Sequence, residues 1–245
     1  MPLVLVIQHA EAVPPALFGD WLREAGCTLD VRRCHRGDEL PALKGYDGLL
    51  VLGGGMDADD DAGHPWLPLV RRRIAEAAEA GVPTLGICLG LQLAALALGG
   101  AVGRNPDGAM VGLLPVGWGC EVLLDPLVDR IAGDGRAVHW NQDVVLTLPA
   151  GADVLATGPH GEVQVARLAP TVWGVQFHPE ADEAVVAAWA TEEGTLLAST
   201  DLAAEQVIEE VAAARAELEA AWRPVAVAFA GMVAGRAAAR GGLWD

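Results

Sequence analysis

Covalent and metal staples are missing from this sequence. Its four cysteines, Cys27, Cys34, Cys88 and Cys120, stand far apart with no CxxC spacing, so no disulfide framework is expected and they read as reduced thiols of a cytosolic protein. Histidine is scarce too, at 6 residues, with no HxH or HExxH spacing. No metal centre is expected from them. Long apolar runs are absent. Residues 1–7 are apolar but short and lack a basic leader, which fits a buried strand rather than a signal peptide. The segment from Val225 to Val233 falls far below the roughly 20 residues that span a bilayer. Its Gly231 and Gly235 therefore read as a site of close helix packing rather than a membrane motif. Positive charge is in short supply, with 16 Lys and Arg against 33 Asp and Glu and a net charge of −17. Such a surface repels phosphate backbones, so nucleic acid is not an expected partner. There is no Walker-type phosphate loop, no internal repeat and no low-complexity linker.

What is present is a globular composition: 245 residues, 52% hydrophobic and 20% charged. A chain of this length buries a full core without staples. Apolar runs at 3–7, 47–52 and 82–87, with a further strand at 28–32, alternate with helical patterns from Pro14-Pro15 to Gly26, from Pro65 to Ala80 and from Leu89 to Leu98. That alternation predicts βαβ units and a mainly parallel central sheet flanked by helices, an α/β fold. From 101 to 177 the pattern is mostly β. Residues 201–222 return to helical spacing through Val207, Val211, Ala214, Leu218 and Trp222, with Asp201 as the expected N-cap. Pro224 is expected to break this helix before an Ala-rich one. The organisation expected is one domain over 1–190 and a helical C-terminal extension over 191–245.

Gly86-Ile87-Cys88-Leu89-Gly90 sits where a strand gives way to a helix, the setting of a nucleophile elbow. Small flanking residues let neighbouring backbone approach, and the first helical turn supplies unpaired N–H groups that favour a thiolate. The N–H of Leu89 is placed to donate to an oxyanion. Cys27, Cys34 and Cys120 lack this setting and read as structural. A base stands in Gly174-Val175-Gln176-Phe177-His178-Pro179-Glu180. Pro179 forces His178 into an extended conformation, where residues two apart share a side. Glu180 then orients one imidazole nitrogen while the other faces a nucleophile, which is the logic of a triad. His9, His35, His64 and His160 read as loop residues, and His139 is undecided. Gly53-Gly54-Gly55 follows a strand but lacks GxGxxG spacing, and the acidic run Asp57 to Asp61 would repel phosphate. Its exposed N–H groups suit a second oxyanion donor instead.

These blocks together resemble the class I glutamine amidotransferases, and more narrowly their stand-alone, GMP-synthase-like members. Ile7-Gln8-His9, Gly45-Tyr46-Asp47-Gly48, His64-Pro65-Trp66-Leu67 and Leu98-Gly99-Gly100 extend the likeness over roughly residues 3–190. The resemblance implies a flavodoxin-like sheet with an added β region, no cofactor, and a catalytic triad of Cys88, His178 and Glu180. It further implies an oxyanion hole from Gly54, with Gly55 beside it, and Leu89, and substrate contacts from Gln92, Asn141 and Asp143. Three positions depart from the family pattern. Gly55 replaces a proline, Asn141 stands where a Trp-His-x-Asp motif has histidine, and Met110-Val111-Gly112 stands where Glu-Ile-Gly is usual. These touch the substrate pocket and leave the triad whole.

The resemblance implies a cytoplasmic enzyme that hydrolyses the side-chain amide of glutamine through a cysteinyl thioester and releases ammonia for a separate synthetase. A hydrolase of other γ-glutamyl amides, and a catalytically weak binding module, are the alternatives. The C-terminal helices would dock a partner, a second copy in a homodimer, or their own domain.

Overall fold

The computed structural model describes residues 1–119, 124–129, 135–192 and 194–241; Cys120 lies outside the described residues. Strands β1 (Leu3–Gln8), β2 (Thr28–Arg33), β3 (Gly48–Val51) and β4 (Thr84–Ile87) alternate with helices α1 (Ala16–Glu24), α2 (Leu67–Glu79) and α3 (Leu89–Ala97). The β-rich stretch follows as β5 (Ala101–Arg104), β6 (Met110–Pro115), β7 (Gly117–Trp118), β8 (Arg136–Asn141), β9 (Asp143–Thr147), β10 (Asp153–Thr157), β11 (Val163–Ala169) and β12 (Val172–Val175). Four helices end the chain: α4 (Glu183–Glu192), α5 (Gly194–Leu197), α6 (Ala204–Ala213) and α7 (Arg215–Gly241).

Eight strands form one mixed sheet in the order β2-β1-β3-β4-β12-β11-β10-β7. The first five run parallel and the last three pair antiparallel. β5 pairs with β9, and β6 with β8, in two small antiparallel sheets. The central strands are buried on both faces, as their continuous apolar runs require. Alternate residues feed two cores. Val4, Val6, Leu50, Leu85 and Ile87 join the core under α1, α4, α6 and α7. Leu5, Ile7, Leu49 and Val51 join the one under α2 and α3.

The C-terminal helices depart from expectation. Pro224 does not break a helix: α7 runs through it for 27 residues, about 40 Å. The lost backbone bond is outweighed because Trp222, Val225, Ala226, Phe229, Ala230 and Val233 all bury on the core side. The break falls instead at Ala214, and the first helix starts at Ala204 without a side-chain cap from Asp201. Gly231 and Gly235 are exposed, with open space where a Cβ would sit. They therefore make no close helix packing within the chain, because α7 turns its other face inward. The stripe Val207, Val211, Leu218 and Trp222 is spent on the chain's own core.

Both ends of α7 are tied down. Glu217 pairs with Arg136, Arg236 donates to the Ala80 and Gly81 carbonyls at 2.9 Å, and Arg240 meets the buried Asp47 at 3.0 Å. Gly48 permits the close approach of α7 to β3, since a Cβ there would lie 2.6 Å from a Val233 methyl. Phe229→Ala should therefore lower unfolding free energy by about 3–5 kcal/mol in urea denaturation. Loss of less than about 1 kcal/mol would show α7 to be a loosely attached appendage.

Candidate active site

The parallel strands deliver their carboxyl ends to one edge, where open α/β sheets hold their sites. β4 leads directly into Cys88, neighbouring β12 into Gln176-Phe177-His178, and β3 through Leu52 into Gly53-Gly54-Gly55. Ile87 and Val175 are direct partners, and the Cys88 N–H donates to the Val175 carbonyl at 2.8 Å. The sharp turn at Cys88 has φ 51° and ψ −107°, a strained conformation for a residue with a Cβ. Crowding imposes the flanking glycines. A Cβ on Gly86 would lie 2.4 Å from the Gly90 carbonyl, and one on Gly90 would lie 2.1 Å from the Val51 oxygen. Gly174 meets Leu91 of α3 equally closely, at 2.4 Å.

His178 Nδ1 bonds Glu180 Oε1 at 2.7 Å, and both side chains are almost wholly buried. Burial works against a charged imidazole here. The negative charges of Glu180 and Cys88, and hydrogen bonds to both, outweigh it and push the His178 pKa up to about 10. Trp189 of α4 covers the ring at 4.4 Å, its own N–H fixed on the Ala12 carbonyl at 2.8 Å. Gly53 packs between the partners: a Cβ there would lie 3.0 Å from His178 Cε1 and 3.6 Å from Cys88 Cβ.

Gly54 faces the start of α3, where a Cβ would lie 3.0 Å from a Leu89 methyl. The Gln92 N–H bonds the Cys88 carbonyl at 3.2 Å. Those of Leu89, Gly90 and Leu91 precede it and have no intrahelical acceptor. The glycine loop is braced from behind by His9, which accepts from the Trp66 indole at 3.1 Å. Burial holds His9 neutral, with its pKa lowered to about 3. His139, undecided from sequence, is buried on β8 against Phe177 beside the cluster, and burial, with the nearby His178, lowers its pKa to about 3. Burial also raises the Cys27 pKa, and that of Cys34 to about 11, which keeps both thiols protonated. Among the described residues no three His, Cys, Asp or Glu side chains form a metal cluster. Nor is any helix there long and apolar enough to cross a membrane.

The cleft above Cys88 is lined by Gly54, Gly55, Gln92, Arg104, Asn141 and Asp143. All the substrate-contact residues expected from sequence thus meet in one place. The Asp143 carbonyl accepts from Gln92 Nε2 at 3.0 Å and from Asn141 Nδ2 at 3.1 Å. Two residues escaped the sequence reading. Arg104 lies opposite Asp143 in the β5–β9 pair and bridges it at 2.8 Å to Asp57 of the acidic loop at 3.1 Å. No spacing rule signals such a cross-strand pair. Gln176, whose amide touches the Cys88 sulfur at 3.5 Å, carried no spacing signal either. The extended alternation expected around His178 is absent, because residues 176–177 bend and 179–180 form a turn in which the Ala181 N–H donates to the His178 carbonyl at 3.3 Å.

The family model for glutamine amidotransferase class-I matches residues 19–186. The chain belongs to that family. A glutamine-hydrolysing GMP synthase of Aeromonas hydrophila is 35% identical over 142 residues, covering 54% of this chain and 25% of that protein. One subunit of the glutamine-hydrolysing GMP synthase of Natronomonas pharaonis is 36% identical over 133 residues, covering 54% of this chain and 65% of that polypeptide. The chain thus spans between a quarter and two thirds of the length of these curated relatives. A glutamine amidotransferase structure from Thermotoga maritima has a TM-score of 0.84 at 25% identity and covers 95% of this chain and 98% of its own.

Two of the departures expected from the sequence lie side by side, Asn141 lining the cleft and Met110 standing outside its lining. Met110 and Asn141 are direct partners in the β6–β8 ladder, so a neutral pair stands where the resemblance implied a glutamate and a histidine. Asn141 is 4% exposed, and its buried Oδ1 has no partner among the described residues. Buried polar oxygens are normally paired, so this one marks an unmet acceptor beside the cleft.

Two outcomes follow from this geometry. A raised His178 pKa means the imidazolium adds stability in full below the ordinary value of 6.5 and loses it as pH climbs through the raised value. Glu180→Gln should lower the His178 titration midpoint by about 1–3 units, read from its imidazole proton resonances; an unmoved midpoint would show that Glu180 does not hold the ring charged. For the pocket pair, Asn141→His alone buries an imidazole against a thioether. Adding Met110→Glu should recover stability, giving a coupling of about 1 kcal/mol or more in a denaturation double-mutant cycle.

Proposed function

We propose that this chain is a cytoplasmic glutaminase component that hydrolyses the side-chain amide of glutamine and releases ammonia to a separate synthetase. The observation that carries this reading is the buried Cys88–His178–Glu180 constellation, set at the strained elbow between two adjacent parallel strands. The separate synthetase is supported by the likeness to a GMP synthase component that is itself an individual polypeptide.

In this reading the Cys88 thiolate attacks the amide carbon, forming a C–S bond while the carbonyl oxygen takes up negative charge. Backbone N–H groups of Leu89 and of the Gly54-Gly55 loop stabilise that oxygen. As the intermediate collapses, the C–N bond breaks and His178 Nε2 gives its proton to the departing nitrogen, which leaves as ammonia. Glu180 holds Nδ1 and so keeps Nε2 directed at the reaction. Water then loses a proton to His178 and adds to the γ-glutamyl thioester. The C–S bond breaks, releasing glutamate and restoring the thiolate. Gln92, Asn141 and Asp143 hold the amino-acid end of the substrate.

The Met110–Asn141 pair favours a second reading, in which another γ-glutamyl amide fills the same cleft. One assay separates them. Purified chain should hydrolyse glutamine with a higher kcat/KM than a panel of γ-glutamyl alkylamides and dipeptides. Cys88→Ala and His178→Ala should each lower kcat by about a thousandfold or more. A glutamine-like diazo-ketone should label Cys88 and spare Cys27 and Cys34. A preference for γ-glutamyl alkylamides would transfer the assignment to the second reading, and a fully active His178→Ala would refute both.

A further inference from the structure

Gln176 is completely buried, and the chemistry above gives it no task. Its amide nitrogen donates to Cys88 Sγ at 3.5 Å, while its amide oxygen accepts from Gln92 Nε2 at 3.3 Å. The same Gln92 nitrogen donates to the Asp143 backbone carbonyl at 3.0 Å. This chain of bonds has a forced direction. A backbone carbonyl can only accept, so Gln92 must turn its NH2 group toward Asp143. The second hydrogen of that group then needs an oxygen, which Gln176 supplies, leaving the Gln176 NH2 to face sulfur. Reversing the Gln176 amide would set oxygen against sulfur and NH2 against NH2.

We propose that Gln176 is a positioning residue for Cys88, a fixed N–H donor that aims the sulfur and favours its thiolate, with Gln92 and Asp143 holding the donor in place. Hydrogen bonds strengthen when the acceptor is ionised, and the chain of three bonds polarises in one direction toward the sulfur. His178 contributes charge to the thiolate, and Gln176 contributes direction from a different strand position. The arrangement also leaves Gln92 with only its Oε1 to offer a ligand, an acceptor suited to an ammonium or amide N–H. The inference rests on Cys88 being the nucleophile proposed above.

The test is the pH dependence of Cys88 alkylation by iodoacetamide in the full chain, with the labelled peptide identified by mass spectrometry. Gln176→Leu removes the donor at similar volume. It should move the half-maximal pH upward by about one unit, so that labelling near neutral pH slows about tenfold. Gln176→Glu keeps the acceptor for Gln92 but sets a carboxylate beside the sulfur, and should shift the profile further in the same direction. Profiles of both variants lying on the wild-type curve would overturn the proposal. If neither variant folds, Gln92→Leu, which frees the Gln176 amide to rotate, carries the test: an upward shift supports the relay and an unshifted profile overturns it. An upward shift in a chain that does not hydrolyse glutamine supports the relay while sinking the functional reading. Wild-type Cys88 that resists labelling overturns both.

Discussion

A single backbone hydrogen bond organises the site: the Cys88 N–H on the Val175 carbonyl, at 2.8 Å. It continues the ladder of β4 and β12 one step past their last paired residues. Cys88 and Gln176, which follow the two strands directly, lie 88 residues apart in sequence. Yet that register decides how far each loop travels before it meets the other. A slip of one residue would exchange the faces of every following side chain. Cys88 and His178 would then point to opposite sides of the sheet. Strain at the elbow, of order 1–3 kcal/mol, persists because the register and the contacts of Gly86, Gly90 and Gly174 leave no other path.

That register is held by the two cores on either side of the sheet. α3 packs tightly on β4 and β12 because glycine stands wherever its backbone crosses them. On the opposite face, α7 runs past α1 toward the start of β3 and is anchored on Arg136 at one end and Asp47 at the other. The C-terminal helices are therefore part of what keeps the strand ends aligned, even though none of their residues enters the proposed chemistry. Trp222 links the two tasks, packing on Phe177 at 4.5 Å inside the block that carries His178.

The polar groups of the cleft are arranged by the same logic. Few of them are free to turn: the Gln92 NH2 group is committed to Asp143 and Gln176, and the Gln176 amide is committed at both ends, to Gln92 and the sulfur. Asn141 differs in that its buried Oδ1 has no partner among the described residues. The Arg104 bridge between Asp57 and Asp143 sets the charge at the cleft rim, and Asn141, paired with Met110 in the β6–β8 ladder, adds a neutral wall.

The parallel core, the elbow at Cys88, the His178-Pro179-Glu180 block and the glycine loop were all legible in the sequence, because each depends on local rules. Apolar runs of strand length, a glycine on either side of a tight turn, and a proline between two polar residues need no distant partner to be read. The pairing of His178 with Glu180 was read from an extended alternation, whereas the structure makes it across a turn at residues 179–180. What tertiary structure alone decided involves residues far apart in the chain. The facing of Met110 and Asn141 follows from an antiparallel register, and the Arg104–Asp143 bridge from another. Pro224 reads locally as a helix break, yet α7 continues through it, because burial of Phe229 and Val233 against strands from the start of the chain outweighs one missing backbone bond. Local propensity fixes what a segment can become; long-range packing chooses among those options whenever its free energy is the larger.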